Sequence, residues 1–463
     1  MLDATTALNR FGLGARGADP VPADPRGWLL DQLQRFDPAP APIRALPETS
    51  TLITMLRDAR DNRQDRKQEA KANGTDPKAK GDGMPAPFRE LREAYLTAVA
   101  ARVDVAVSSE TPFIERLVHF WANHFAVSVD KVATVGMAGD LEFKAIRPHV
   151  LGKFGTMLSA VERHPAMLLY LDQAQSVGPD SMLGQIAARR GRERGLNENL
   201  AREILELHTL GVRTGYSQAD VTEFARALTG WTLGGLAKQP ILQGPGPQFW
   251  FAAPIHQPGT RQVLGKPYRQ NGEDQAQAIL DDLARHPMTA RHIATKLARH
   301  FAADDPPPAL IARIEQAFLS SDGDLPTLYR VLIDAPECQV PAAKFRSPWD
   351  WSLAALRATG IGALPGRPAA GMLTELGQAV WKPGSPAGYD DTGPSWAGPD
   401  ALLRRVELAQ RLAQRSVAID ARALGDRLFP GALSTATRQA VERAEDGRQA
   451  LALLLASPEM MRR

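Results

Sequence analysis

A single cysteine, Cys338, in 463 residues excludes an intramolecular disulfide and a cysteine-rich zinc site. Aromatic residues are scarce, at 6 %. The 55 Lys and Arg are nearly matched by 52 Asp and Glu, so the surface lacks the basic stripe with interleaved aromatics that marks a nucleic-acid binder. No apolar run approaches the ~20 residues a membrane span requires; the longest late one, Leu451 to Ala456, is far shorter. The opening Met1-Leu2-Asp3 has no basic segment leading into an apolar stretch. No signal peptide is therefore visible, and the cytoplasm is the default compartment. The chain has no His-Glu-x-x-His zinc motif, no Gly-x-x-x-x-Gly-Lys phosphate loop, no nucleotide or flavin fingerprint and no Cys-x-x-Cys-His haem attachment.

What remains is helix. Apolar residues recur at helical spacing through most of the chain, and its length can bury a large core. The expected fold is mainly α: a large multi-helix globular bundle, 1–463, forming a single large helical domain. Glycine and proline punctuate 231–266, where Phe249-Trp250-Phe251 and Arg261-Gln262-Val263-Leu264 read as strands of a small β-hairpin excursion. Three polar or Pro/Gly-rich stretches, 71–87, 173–195 and 379–397, read as mobile insertions. Ser217 with Asp220 predicts a capped helix over 218–229. His164 and His286 each precede proline and read as helix caps.

Between Gly195 and Gly211 five ionisable groups fall within eleven positions. There Glu198, Arg202, Glu203, Glu206 and His208 share one amphipathic helix. Asn199, Glu203 and Glu206 fall on one line beside the apolar stripe of Leu200, Ile204 and Leu207, with His208 on the buried side. On the next helix Asp220, Glu223 and Arg226 form a second polar edge. A short turn between the two would bring these edges together. Such a seam binds a divalent cation, pairs its carboxylates with Arg202 and Arg226 as a structural network, or sets carboxylates to raise one another's pKa for proton transfer. Glu115, His119 and Asn123 lie at i, i+4, i+8, a spacing that would fix the imidazole's tautomer. His124 shares a face with Phe120 and Trp121 and reads as a core histidine. His292, Lys296 and His300 have the same i, i+4, i+8 spacing. They form either a cationic stripe toward an anion or a solvated face, and the sequence favours the second.

These segments also carry a resemblance. The stretch Asn197 to Val212, followed by Gly215-Tyr216-Ser217-Gln218-Ala219-Asp220 through Thr229-Gly230-Trp231-Thr232, resembles the signature of a bacterial family known as "domain of unknown function 1800". So do Ala7-Leu8-Asn9-Arg10-Phe11-Gly12, His119-Phe120-Trp121-Ala122-Asn123-His124-Phe125, Arg163-His164-Pro165, Leu297-Ala298-Arg299-His300-Phe301 and Gly398-Pro399-Asp400. The similarity runs through the whole chain. It departs at Gln257, where relatives often have Asp after the histidine corresponding to His256. Relatives are commonly encoded beside an exported sulfatase-like protein. The resemblance thus implies a partner protein and leaves export with that partner open.

Two functions follow as expectations. The first is an enzyme of hydrolytic or metal-assisted chemistry, with its pocket between helices 112–126 and 197–230. Glu203 or Glu206 would serve as base or cation ligand, His119 as acid, base or ligand, and His208 as support. Arg202 would hold an anionic group, with Asn199, Asp220, Glu223, Trp231 and His256 as further substrate contacts. A divalent metal would be its cofactor. The second is a non-catalytic scaffold or adaptor that binds a partner protein through its charged and Pro/Gly-rich loops.

Overall fold

Several helices in this chain begin where the sequence supplies a cap. His164 and His286 accept hydrogen bonds from Ala166 N and Met288 N at 3.2 and 3.1 Å. Each holds the first turn of a helix whose first residue is the proline. Ser217 and Asp220 close a capping box on Gln218–Leu228, and Asp324 caps Leu325–Asp334. The computed structural model describes residues 2–74, 85–191, 195–237, 239–362, 364–416 and 419–463. It is 62 % helical, so the mainly α class holds. Among the described residues no helix is long and apolar enough to cross a membrane.

The strands form two small antiparallel pairs rather than one hairpin. β1 (Trp231–Leu233) pairs with β2 (Phe249–Phe251), and β3 (Arg261–Val263) pairs with β4 (Lys266–Tyr268). Leu264 and Gly265, both at positive φ, reverse the chain between β3 and β4, as a two-residue hairpin turn demands. One contiguous apolar cluster runs from Ala7 to Met461. At its centre Phe11, Phe113 and Phe301 contact one another with ring centroids 5.4 to 5.9 Å apart, tying three distant segments together.

Three local expectations are corrected. The helix expected between Gly195 and Gly211 is α-helical only for Asn199–Glu203; Ile204–His208 is wound as a wider π turn. The polar stretch 173–195 contains a helix, Met182–Arg189, capped by Ser181, and its Gln173 is fully buried. The stretch 379–397 is pinned to the body: Trp381 Nε1 donates to Glu142 at 2.8 Å, and the Asn123 side-chain amide donates to Tyr389 O and accepts from Tyr389 N. Most of the insertion expected at 71–87, and residues 192–194, lie outside the described residues.

Candidate active site

The helix Pro112–His124 packs Phe113, Ile114, Leu117, Val118 and Trp121 into the core. Trp121 Nε1 donates to the Tyr329 hydroxyl at 2.8 Å, which in turn donates to Val150 O at 2.9 Å. His119 and His124 leave this anchored rod on the side of a cavity of about 280 Å³. Glu115 does not reach His119. It forms a buried two-pronged pair with Arg147 at 2.6 and 3.0 Å, and Asn123 is committed to Tyr389. The His119 tautomer is fixed from elsewhere: Trp349 Nε1 donates to its Nδ1 at 3.1 Å, with the rings perpendicular. An indole N–H can only donate, so neutral His119 carries its proton on Nε2 and offers a donor.

The π turn assigns two more imidazoles. A helix end leaves its last carbonyls without partners in the helix. Here Leu207 O accepts from His292 Nε2 and His208 O accepts from His124 Nε2, each at 3.1 Å. A carbonyl can only accept, so both rings carry their proton on Nε2 and keep a lone pair on Nδ1. His124 is 1 % exposed and its Nδ1 has no partner. Gly211 follows at φ +100, where an added Cβ would lie 3.1 Å from His292 Nδ1; a side chain there would crowd the ring as well as strain the backbone. His208 itself is buried and points away, its Nδ1 bound to buried Glu162 at 2.7 Å.

The third wall is the helix Pro287–Phe301. Ile293, Leu297 and Phe301 face the core, and His292, Lys296 and His300 line the cavity one above the other. The solvated face expected for these three is therefore corrected: the loop 387–392 folds over them. Within that loop Asp391 accepts from His300 Nδ1 at 2.7 Å, leaving the buried His300 Nε2 without a partner. Gly388 makes the loop's close approach possible. Its φ is +83, and a Cβ would stand 2.3 Å from Asn123 O.

The floor is an ion network. Asp350 binds Arg116 at 3.0 and 3.1 Å and pairs with Arg463 at 3.1 Å. Burial works against both Asp350 and Asp391 as carboxylates. Arg116 and Arg463 nevertheless hold Asp350 far below the usual range, and His300, Lys344 and Arg463 do the same for Asp391. Arg116, Arg463 and Lys344 are thereby paired with carboxylates, and neutral His300 gives Asp391 a hydrogen bond; Lys296 has no such partner among the described residues. Its half-buried side chain makes no hydrogen bond or ion pair with any described residue. Burial, opposed by Asp391 and aided by Arg299, lowers its ammonium to about 8. Among the described residues, Arg299 beside it bonds through Nε to Asp304 O at 3.2 Å. Burial also keeps the four imidazoles neutral: His292 and His300 fall to about 4, and His119 and His124 well below their ordinary value.

Of the residues expected at a site, the structure brings His119 and Glu206 to this cavity. Glu206 lies 3.7 Å from Arg202, which also bonds Glu198 and Gln218. Glu203 is half-buried on another side of the turn, and burial raises its carboxyl. Asn199 is exposed. Asp220 accepts from Ser217 and from Leu264 N at 2.7 Å. Glu223 pairs with Arg226 and with Arg261. The edge formed by Asp220, Glu223 and Arg226 is thus neutralised by its own guanidinium groups and by β3, apart from the cavity. Trp231 is fully buried under the Arg163 guanidinium, 5.1 Å from its ring. His256 donates from Nδ1 to Thr229 O at 2.7 Å beside Phe251. Among the described residues, no group of three or more His, Cys, Asp or Glu is placed to hold a metal ion.

Sequence reasoning missed Lys296, His300, Asp391 and Trp349 as members of one site. The equal spacing of His292, Lys296 and His300 was the available signal. No curated protein and no solved structure matches the chain. A family model matches residues 6–462, and the chain belongs to that family, described as a protein of unknown function (DUF1800).

Proposed function

We propose that this protein is an enzyme acting on a small anion, a carboxylate or a phosphate ester, bound between the helices Pro112–His124 and Pro287–Phe301. The observation that carries the reading is Lys296, which makes no hydrogen bond or ion pair with any described residue, set among imidazoles whose tautomers their partners fix. Lys296 and Arg299 supply positive charge to the cavity wall, and His119 adds a neutral N–H donor. The Asp391–His300 pair leaves a lone pair on His300 Nε2, the arrangement of a general base whose carboxylate partner orients the ring and favours the ring's charged form. A water or hydroxyl beside His300 would give up its proton there, while Lys296 stabilises the oxyanion that develops. Glu206 is the one carboxylate of the signature turn at this cavity and sits opposite as a second proton carrier. The loop 387–392 belongs to the site as its cover, which favours this reading over the adaptor.

Calorimetric titration with acetate, malonate and phosphate tests it. A charge-assisted hydrogen bond contributes ~1.5–3 kcal/mol, so Lys296→Met should weaken the best of these anions by roughly 10- to 100-fold. Glu203→Gln, away from the cavity, should leave affinity unchanged. Absence of saturable binding to the unaltered protein, or equal binding by Lys296→Met, refutes the proposal.

A further inference from the structure

We infer that Lys296 is a covalent site: its amine forms an imine with the carbonyl carbon of a small 2-oxo acid whose carboxylate is held by Arg299 and the His119 N–H. This rests on the anion-binding reading above and deepens it by naming the substrate class. A half-buried ammonium that lines a cavity without a hydrogen bond or ion pair to any described residue is open to a ligand. The carboxylates lining the same cavity have other partners: Asp390 accepts from Ser395 Oγ at 2.8 Å. Asp350 is taken by Arg116 and Arg463, and Asp391 by His300. Glu206 has Arg202. Lys296 is left between His292 and His300, one turn away on either side, and faces a cavity whose further wall carries His119 and His124.

The same surroundings supply what imine formation needs. Desolvation, opposed by Asp391 and aided by Arg299, maintains a fraction of the amine in its free, nucleophilic form near neutral pH. The Nζ lone pair attacks the carbonyl carbon, a C–N bond forms, and the carbonyl π electrons pass to oxygen. The cationic nitrogen gives one proton to the His300 Nε2 lone pair, and His300 returns it to the alkoxide, leaving a neutral carbinolamine. The nitrogen lone pair then expels the hydroxyl, which departs as water with the second N–H proton as the C=N bond closes. Water is the sole by-product, and no oxidant or cofactor is required. A volume of about 280 Å³ suits an acid of a few carbons.

The test is reductive trapping on the full chain, with pyruvate and sodium cyanoborohydride, read by intact mass and peptide mapping. The expected result is one adduct per chain, at Lys296, suppressed by lactate, which has the same carboxylate without the ketone. Labelling should rise with pH through a midpoint near 8. Lys296→Arg should give no adduct, since the nucleophile is gone, while Glu203→Gln, away from the cavity, should be labelled to the same extent as the unaltered protein. Labelling scattered over surface lysines, or none at Lys296 while lactate binds, overturns the imine and leaves the anion site standing. Failure of both pyruvate and lactate to bind overturns both.

Discussion

Lowering the pH is the perturbation the structure prices most directly. His292 and His300 have folded-state pKa values of about 4 against an ordinary 6.5. Between those values the unfolded chain binds a proton at each ring and the folded chain does not. Stability therefore falls as pH drops below 6.5, and the loss is complete once pH passes below 4. Near pH 5 each ring costs roughly 2 kcal/mol, so the two together remove about 4 kcal/mol, a large part of a typical folding free energy of ~5–15 kcal/mol. His119 and His124, shifted the same way, steepen the slope. Asp350 and Asp391 do not contribute in this window. Their folded pKa values are depressed, so their stabilisation persists until pH falls below the ordinary carboxylate value of 3.8. Urea denaturation followed by tryptophan fluorescence at pH 7.5 and at 5 reads the difference. His300→Gln and His292→Gln should each flatten the dependence by up to about 1.4 kcal/mol per pH unit. A urea midpoint that does not move between these pH values, or ring titrations near 6.5 by NMR, would refute the burial argument.

Other perturbations have equally definite outcomes. Glu115→Gln leaves Arg147 charged and buried without its partner, and should cost about 3–5 kcal/mol in chemical denaturation; a loss below about 1 kcal/mol would contradict the pair's assignment. Gly388→Ala forces the loop 387–392 away from Asn123, so anion affinity should fall about tenfold or more with a melting temperature change of only a few degrees. Trp349→Phe removes the donor that fixes His119. It should lower anion affinity several-fold while circular dichroism stays unchanged, and unaltered affinity would show the indole bond to be irrelevant.

The parts legible in the sequence were those decided locally. A histidine before proline and a Ser217–Asp220 pair carry their own hydrogen-bond partners within three residues, so the caps were readable. The density of charge in the signature turn was readable too, but not its outcome. Arg261, 38 residues beyond Glu223, decides that this carboxylate is neutralised. The π turn at Ile204–His208 is set by imidazole donors from two other helices, and no periodicity within the segment announces them. Lys296 shows the limit most clearly. Its stripe, flanked by Arg291, Thr295 and Arg299, has the composition of a solvated helix face. Only the return of Asp391, 91 residues after His300, turns it into a cavity wall.

Competitive acetylation of the native chain across pH, with each lysine quantified by mass spectrometry, measures the ionisation of Lys296 directly. The account predicts a titration near 8 in the free protein, rising toward the ordinary lysine value when malonate fills the cavity. An ordinary lysine titration that malonate leaves unmoved would mean the ammonium is already paired or solvated, and the proposed site would fall with it.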